Sequence, residues 1–98
     1  MMRSSAWSYA EMRERLVNVI NKANLQINAE YVLEDLDVVV AFAQVMLGAD
    51  HQITTEAQEW YGYFWEKYCH NLEQHVEEDE ARRFAMCAEM WLNHIRRL

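Results

Sequence analysis

Apolar residues recur every three or four positions along most of the chain, a spacing that places them on one side of an α-helix. We predict a helix over each of the segments that keep this spacing, residues 9–25, 29–47, 56–77 and 80–97. Helices joined by short connections usually pack antiparallel to their neighbours. The pattern therefore predicts an all-α, compact four-helix bundle, with residues 1–98 as a single domain and residues 1–7 as a flexible N-terminus.

Two capping boxes mark predicted helix starts. In this motif, a Ser or Thr and a Glu or Gln three residues later bond each other's backbone N–H groups. Ser8 and Glu11 fit it before the first helix, where Trp7 can pack onto the following turn. Thr55 and Gln58 fit it before the third helix, so we expect that helix to begin at residue 56.

The second predicted helix has a wide apolar arc between two boundary residues. Asn28 is a favourable N-cap, and Gly48 suits the C′ position, where a residue with positive φ ends many helices. Apolar residues cover more of this helix than the usual stripe of about 100°. We therefore expect the second helix to contact neighbours on two sides.

The boundary between the third and fourth helices is weakly marked. Asp79 can serve as the N-cap of the fourth helix, but no Gly or Pro interrupts the chain nearby. Glu78 with Arg82, and Asp79 with Arg83, have the i,i+4 spacing of ion pairs within one helix. The alternative is therefore a continuous helix over residues 56–97, roughly 60 Å long, which requires an intertwined dimer.

Six aromatic side chains crowd the segment EWYGYFWEKYCH, residues 59–70. A helical projection places four of them on the core side, Tyr61, Phe64, Trp65 and Tyr68. The other two project from the opposite edge, and two methionines of the fourth helix also lie off its apolar stripe. Aromatic and Met side chains are enriched at protein interfaces. We predict a partner-binding contact set that comprises Trp60, Tyr63, Lys67, His70, Met86 and Met90.

Charge is distributed unevenly along the chain, whose formal net charge is −7. Residues 28–80 hold thirteen acidic side chains and one Lys or Arg, whereas both ends are basic. Direct nucleic-acid binding is disfavoured, because it requires clustered Lys and Arg. Either the basic ends fold back and neutralise the middle, or an acidic face meets a basic partner. That face comprises Glu30, Glu34, Asp37, Glu56, Glu59, Glu66, Glu73, Glu77 and Glu78, with Asp79 and Glu80 continuing the run.

Asp35 is a carboxylate that the projection places among apolar residues. A buried carboxylate needs a cationic or hydrogen-bonding partner, because desolvating an unpaired charge is costly. We predict a buried or interface charge here. Its partner is expected to be a basic group of another protein or an arginine of this chain, such as Arg13, Arg82 or Arg83.

The residue pattern predicts neither catalysis nor a cofactor. Cys69 and Cys87 lie at the edges of apolar stripes, where a thiol is more often inert packing than a nucleophile. No two good ligands stand four residues apart on one helical face, as a zinc-binding HExxH element requires. We expect no enzymatic activity, no cofactor and no metal site.

The N-terminal sequence lacks the apolar run of a secretory signal, and no segment approaches the ~20 apolar residues of a membrane span. We therefore expect a cytoplasmic protein with reduced cysteines and no membrane partner. The first functional hypothesis is a small acidic protein–protein interaction module, an inhibitor, adaptor or assembly subunit that occupies a partner's surface. The alternatives are a homo-oligomeric structural protein and an acidic nucleic-acid mimic of phage or plasmid type, which inhibits a DNA- or RNA-binding protein in an anti-restriction or anti-CRISPR-like manner.

Overall fold

Residues 8–24 and 27–98, the part of the chain that the computed structural model describes, form a bundle of four α-helices. The helices are α1, Tyr9–Asn24; α2, Ala29–Met46; α3, Gln52–Tyr68; and α4, Glu78–Arg96. The backbone of α1 packs closely against α2 and α4, and that of α2 also packs against α3. The predicted all-α bundle is confirmed, as is the two-sided contact of α2. The predicted flexible segment 1–7, including the packing of Trp7, lies outside the described residues.

The core is a cluster of apolar side chains from all of these helices. Its fully buried members include Met12, Leu16, Val19, Leu36, Val39, Phe64, Phe84 and Ala88. Val76, in the connection between α3 and α4, is 3% exposed and joins the same cluster. Tyr9 and Leu98 have the spacing of the predicted apolar stripes, but both are exposed because they lie at the outer ends of the bundle.

The predicted boundary residues of α1 and α2 behave largely as expected. The backbone N–H of Glu11 donates to Ser8 Oγ at 3.3 Å, one half of the predicted capping box. Gly48 has φ of 98°, and its N–H donates to the carbonyl of Ala43 at 3.1 Å, which ends α2. Asn28 precedes α2 as its N-cap, but its side chain makes no capping hydrogen bond.

α3 begins earlier than predicted, because His51 rather than Thr55 caps it. The ring Nδ1 of His51 accepts a hydrogen bond from the backbone N–H of Ile53 at 3.1 Å. Thr55 lies within the first turns of α3 and is exposed. The predicted capping box at Thr55 is therefore wrong, since a histidine acceptor upstream already satisfies the start of the helix.

α3 also ends earlier than predicted, at Tyr68, and residues 69–77 form an irregular connection. This connection bonds to the start of α2. The N–H of Ala29 donates to the carbonyl of Gln74 at 3.0 Å, and the N–H of Glu30 donates to that of Leu72 at 3.1 Å. These bonds satisfy N–H groups that have no partner within α2. The alternative of one continuous helix over residues 56–97 is contradicted, and with it the reason for an intertwined dimer.

α4 begins at Glu78, and Glu77 rather than Asp79 is its N-cap. The Glu77 side chain makes no capping hydrogen bond, so the start of α4 depends on other contacts. Acidic residues at 78–80 occupy the first turn, where they interact favourably with the helix dipole. Arg82 lies 3.5 Å from both Glu78 and Asp79, so the ion pairs here stay within the first turns of α4.

Candidate functional site: the seam between α3 and α4

α3 and α4 meet through long aromatic side chains rather than through the close backbone packing of the other neighbouring helices. The ring centroids of Trp60, Phe64 and Phe84 are mutually 5.3 Å apart, and Trp91 lies 6.2 Å from Phe84. These separations are typical of favourable aromatic pairs. The density of aromatic residues in segment 59–70 is therefore explained by the wide seam that they fill.

Trp60 and Trp65 have exchanged the environments that the helical projection assigned to them. Trp60 is partly buried against the core, whereas Trp65 is 49% exposed. The projection failed because it included Leu72 and Val76 in α3, which moved the centre of the apolar stripe toward Trp65. Both of those residues belong to the connection after α3. Trp65 is thus a surface residue on the edge of α3 that faces α2.

Alanine at Trp60 is expected to lower the free energy of unfolding by about 2 kcal/mol, because a partly buried indole is lost from the seam. Alanine at Trp65 is expected to cost less than about 1 kcal/mol, because exposed side chains contribute little. Urea unfolding followed by circular dichroism measures both variants. A larger loss for the Trp65 variant than for the Trp60 variant would contradict this assignment of the two indoles.

A groove runs along the surface of the seam. One end is lined by Ile53, Glu56, Met90 and Trp91, together with His51, Gln52 and His94. The middle encloses about 360 Å³ and is lined by Glu56, Glu59, Trp60, Tyr63, Arg83 and Cys87. Tyr63, Glu66 and Lys67 line the other end. Consecutive parts share one lining residue, Glu56 or Tyr63, so the groove is a row of three adjoining concavities along α3, and the last of them is lined by α3 alone.

A cluster around Glu80 closes the seam where α4 begins. Glu80 is 2% exposed, and its carboxylate accepts hydrogen bonds from the hydroxyls of Tyr63 and Tyr68. Lys67 Nζ donates to the same carboxylate at 2.7 Å and lies 3.1 Å from the carboxylate of Glu77. The buried Glu80 carboxylate, with hydrogen bonds to Tyr63, Lys67 and Tyr68, thus joins the first turn of α4 to the last turns of α3.

The hydroxyl of Tyr68 takes the place of a capping box at the start of α4. It accepts a hydrogen bond from the backbone N–H of Glu77 at 3.1 Å and donates to the Glu80 carboxylate. In a capping box, the acidic side chain bonds the N-cap N–H directly. Here a side chain from the preceding helix stands between the two groups, so α3 determines where α4 begins.

This cluster shifts the pKa values of its members. Burial disfavours the charged form of Glu80, but hydrogen bonds from Lys67, Tyr63 and Tyr68 outweigh it and lower the pKa of Glu80. Burial, and then the hydrogen bond to Glu80, raises the pKa of Tyr68 to about 12. The hydrogen bond to Glu80 is also the main cause that raises the pKa of Tyr63 and of Lys67. At neutral pH the cluster therefore holds a carboxylate, an ammonium group and two neutral phenols.

Two members of the predicted acidic run are not fully exposed. Glu80 is buried in the cluster just described. Glu56 accepts hydrogen bonds from the indole N–H of Trp91 at 2.7 Å and from Gln52 at 2.9 Å. The structure leaves the remaining members exposed, Glu30, Glu34, Asp37, Glu59, Glu66, Glu73, Glu77, Glu78 and Asp79.

Asp35 is 3% exposed, in a position that α1 covers. Lys22 Nζ lies 2.6 Å from one carboxylate oxygen, and Arg15 lies 3.4 Å from the other. The expected arginine of this chain is thus present, but it is Arg15 rather than Arg13, Arg82 or Arg83, and Lys22 is the nearer cation. Both cations lie on α1, which packs closely against α2. Arg82 lies instead beside Glu78 and Asp79 in the first turns of α4.

The groove brings together most of the predicted contact set. Four of its members line the groove: Trp60, Tyr63, Lys67 and Met90. Met86 lies one turn before Met90 on α4, and these two side chains are 62% and 67% exposed. His70 lies in the connection beyond the end of α3, where it is exposed.

No protein-family model matches this chain, and searches of curated proteins and of solved structures also found no match. Within residues 8–24 and 27–98, no group of three or more His, Cys, Asp or Glu side chains is placed to hold a metal ion. None of the helices described is long and apolar enough to cross a membrane. Cys69 and Cys87 are free and half-buried. Function is therefore inferred from the geometry of the surface.

Proposed function

We propose that this chain is a small acidic protein–protein interaction module that binds an amphipathic helix of a partner protein in the groove between α3 and α4. The observation that carries the proposal is the exposure of Met90, which lines a groove with aromatic walls, and of Met86 one turn away on α4. Met side chains adapt to apolar surfaces of different shapes. Apolar faces of helices commonly bind in such grooves. The module acts by binding rather than by catalysis, in the cytoplasm.

The dimensions and the rim of the groove support a helical partner. Between α3 and α4 the groove extends from His51 to Tyr63, roughly 18 Å or about three turns of a helix. Its rim carries both signs of charge, with Glu59 on α3 and Arg83 on α4. Mixed rim charges favour one orientation of a bound helix over the other.

The walls of the groove are held in place before any partner arrives. The Glu80 cluster joins α3 to α4 at one end, and the hydrogen bond from Trp91 to Glu56 joins them toward the other. A preformed groove loses less conformational entropy on binding than a flexible one. The arrangement therefore favours affinity for a partner that fits it.

Replacing Met86 and Met90 together with serine is expected to weaken binding of the partner by about tenfold or more, because large apolar contacts dominate interface energies. The tagged chain is used to capture proteins from a lysate of the source cell, with washes at low and high salt. A partner retained by the unaltered chain at high salt should be lost with this variant. The matched control replaces Val17 and Val45, which are also exposed but lie on α1 and α2.

Equal retention of the partner by the methionine variant and by the valine control would contradict the proposal. Sedimentation of the free chain over a dilution series tests self-association. If the chain forms a dimer that the methionine substitutions dissociate, the groove is a homo-oligomer interface instead.

The second candidate function is mimicry of nucleic acid by the acidic surface. It is favoured by Glu30, Glu34 and Asp37, which are exposed on successive turns of α2 and make no ion pair within the described residues. Mimicry relies on charge, so nucleic-acid enzymes captured at low salt should be released at moderate salt. A partner held in an apolar groove should stay bound under the same wash.

A further inference from the structure

A second groove lies on the other edge of α3, between α3 and α2. Its apolar lining consists of Leu33, Tyr61, Trp65 and Leu72. It encloses about 210 Å³, less than the roughly 300 Å³ at which small-molecule pockets usually begin. Trp65 is 49% exposed here. The groove therefore suits one or two side chains of a partner rather than a cofactor or a whole helix.

Three carboxylates form the rim of this groove on the α2 side. Glu30, Glu34 and Asp37 line it on successive turns and span roughly 10 Å along the helix. Residues 28–80 include one Lys or Arg, Lys67, which points to the opposite edge of α3 and bonds Glu80 and Glu77. The rim charges consequently have no basic partner from the helices that form the groove.

We propose that this groove binds an arginine side chain of a basic segment in a partner protein. Exposed aromatic faces attract cations, and the planar guanidinium group can stack on an indole while it donates two hydrogen bonds to a carboxylate. Trp65 supplies the aromatic face, and Glu34 and Asp37 supply the acceptors. The methylene groups of the arginine contact Leu33 and Leu72. Lysine matches the charge but neither the stacking nor the paired hydrogen bonds.

The connection after α3 fixes one wall of the groove. The carbonyl of Leu72 accepts a hydrogen bond from the N–H of Glu30, and the carbonyl of Gln74 accepts one from the N–H of Ala29. The leucine wall and the first rim carboxylate are therefore held together by backbone bonds. Such a site needs little reorganisation on binding.

This groove shares no lining residue with the groove between α3 and α4. The two surfaces lie on opposite edges of α3, and the inference does not rest on the proposed function. Serine at Met86 and Met90 is expected to leave arginine binding unchanged, so failure of one proposal is distinguishable from failure of the other.

The test is a titration of the ¹⁵N-labelled full chain with blocked tetra-arginine and tetra-lysine peptides at low salt, followed by the indole N–H signals in NMR spectra. The Trp65 signal is assigned with a Trp65→Phe variant. Tetra-arginine should shift this signal in a saturable manner, while the signals of Trp60 and Trp91 stay in place. Tetra-lysine should bind at least about threefold more weakly, because it lacks the planar stacking.

Two double variants separate this site from general attraction between opposite charges. Glu34→Gln with Asp37→Asn should weaken tetra-arginine binding by at least about fivefold. Glu14→Gln with Glu89→Gln removes the same formal charge from exposed positions on α1 and α4, and its affinity should stay within about twofold. Equal losses in the two variants, equal affinity for the two peptides, or no saturable Trp65 shift would overturn the proposal. Shifts of the Trp65 signal with protein concentration alone would identify a second copy of the chain as the occupant instead.

Discussion

Replacing Phe84 with alanine is expected to lower the free energy of unfolding by about 4 kcal/mol, the largest loss that we predict for a single substitution in this chain. Phe84 is fully buried, and its ring contacts those of Trp60, Phe64 and Trp91. The cost of a cavity depends on how far its surroundings can close around it. The other helix contacts keep α3 and α4 apart, so the seam cannot close over the missing ring.

Urea unfolding of the Phe84→Ala variant, followed by circular dichroism, measures this loss. Met86→Ala is the matched control on the same helix, because Met86 is 62% exposed and contacts little. Its free energy of unfolding should change by less than about 0.5 kcal/mol. A loss below about 1 kcal/mol for Phe84→Ala would show that the seam is not a principal part of the core.

Alanine at Glu80 is expected to cost about 3 kcal/mol, although it removes a charged residue. The substitution leaves the buried hydroxyl of Tyr68 without its acceptor and removes one of the two carboxylates that pair with Lys67. The loss of free energy should lie at the lower end of the range for breaking a buried ion pair. The reason is that the Lys67 side chain is 34% exposed, so water can solvate its ammonium group. Glu80→Gln keeps the size of the side chain and should cost about 2 kcal/mol.

The stabilisation by Glu80 should depend on pH in a specific direction. Because the pKa of Glu80 is lowered in the folded state, its contribution is present above the unfolded pKa of about 4.3 and is lost as the pH falls through the folded value. The pKa values of Tyr63, Tyr68 and Lys67 are raised, so their contributions are lost only at alkaline pH. The difference in unfolding free energy between the unaltered chain and Glu80→Gln should thus be constant from about pH 6 to 9.

Unfolding of the two proteins in urea at a series of pH values tests this expectation. The difference should shrink below about pH 4, as the carboxylate becomes protonated. A difference that stays the same down to the lowest pH at which both proteins fold would contradict the role given to the Glu80 carboxylate. The Met86→Ala variant, which changes no titratable group, should keep a constant difference from the unaltered chain throughout.

The apolar spacing was sufficient to predict the four helices, but not the residues at which α3 ends and α4 begins. α1 and α2 have local boundary signals in Ser8 and Gly48, and both act as expected. α3 ends without Gly or Pro because the following residues bond to the start of α2, far away in sequence. α4 begins where the hydroxyl of Tyr68 caps it. Tertiary contacts of this kind cannot be predicted from the spacing of apolar residues that are close in sequence.

The candidate site was predictable where exposure follows from helical position alone. Met86 and Met90 lie off the apolar stripe of α4 and are exposed, as predicted. Trp65 was misassigned because its environment depends on where α3 ends. Glu80 lies in an acidic run typical of a solvated surface, and its burial requires two phenols and a lysine from another helix. Their spacing in the sequence does not indicate that they converge.

The hydrogen bonds between the start of α2 and the connection after α3 also affect the order in which the chain can fold during its synthesis. The ribosome releases Ala29 and Glu30 well before Leu72 and Gln74, whose carbonyls accept their N–H groups. Until those carbonyls are available, these N–H groups donate their hydrogen bonds to water. α1 and α2 therefore reach their final form only after α3 and the connection that follows it have left the ribosome. α4 leaves the ribosome directly afterwards. The bundle is expected to assemble late and as a unit, rather than helix by helix from the N-terminus.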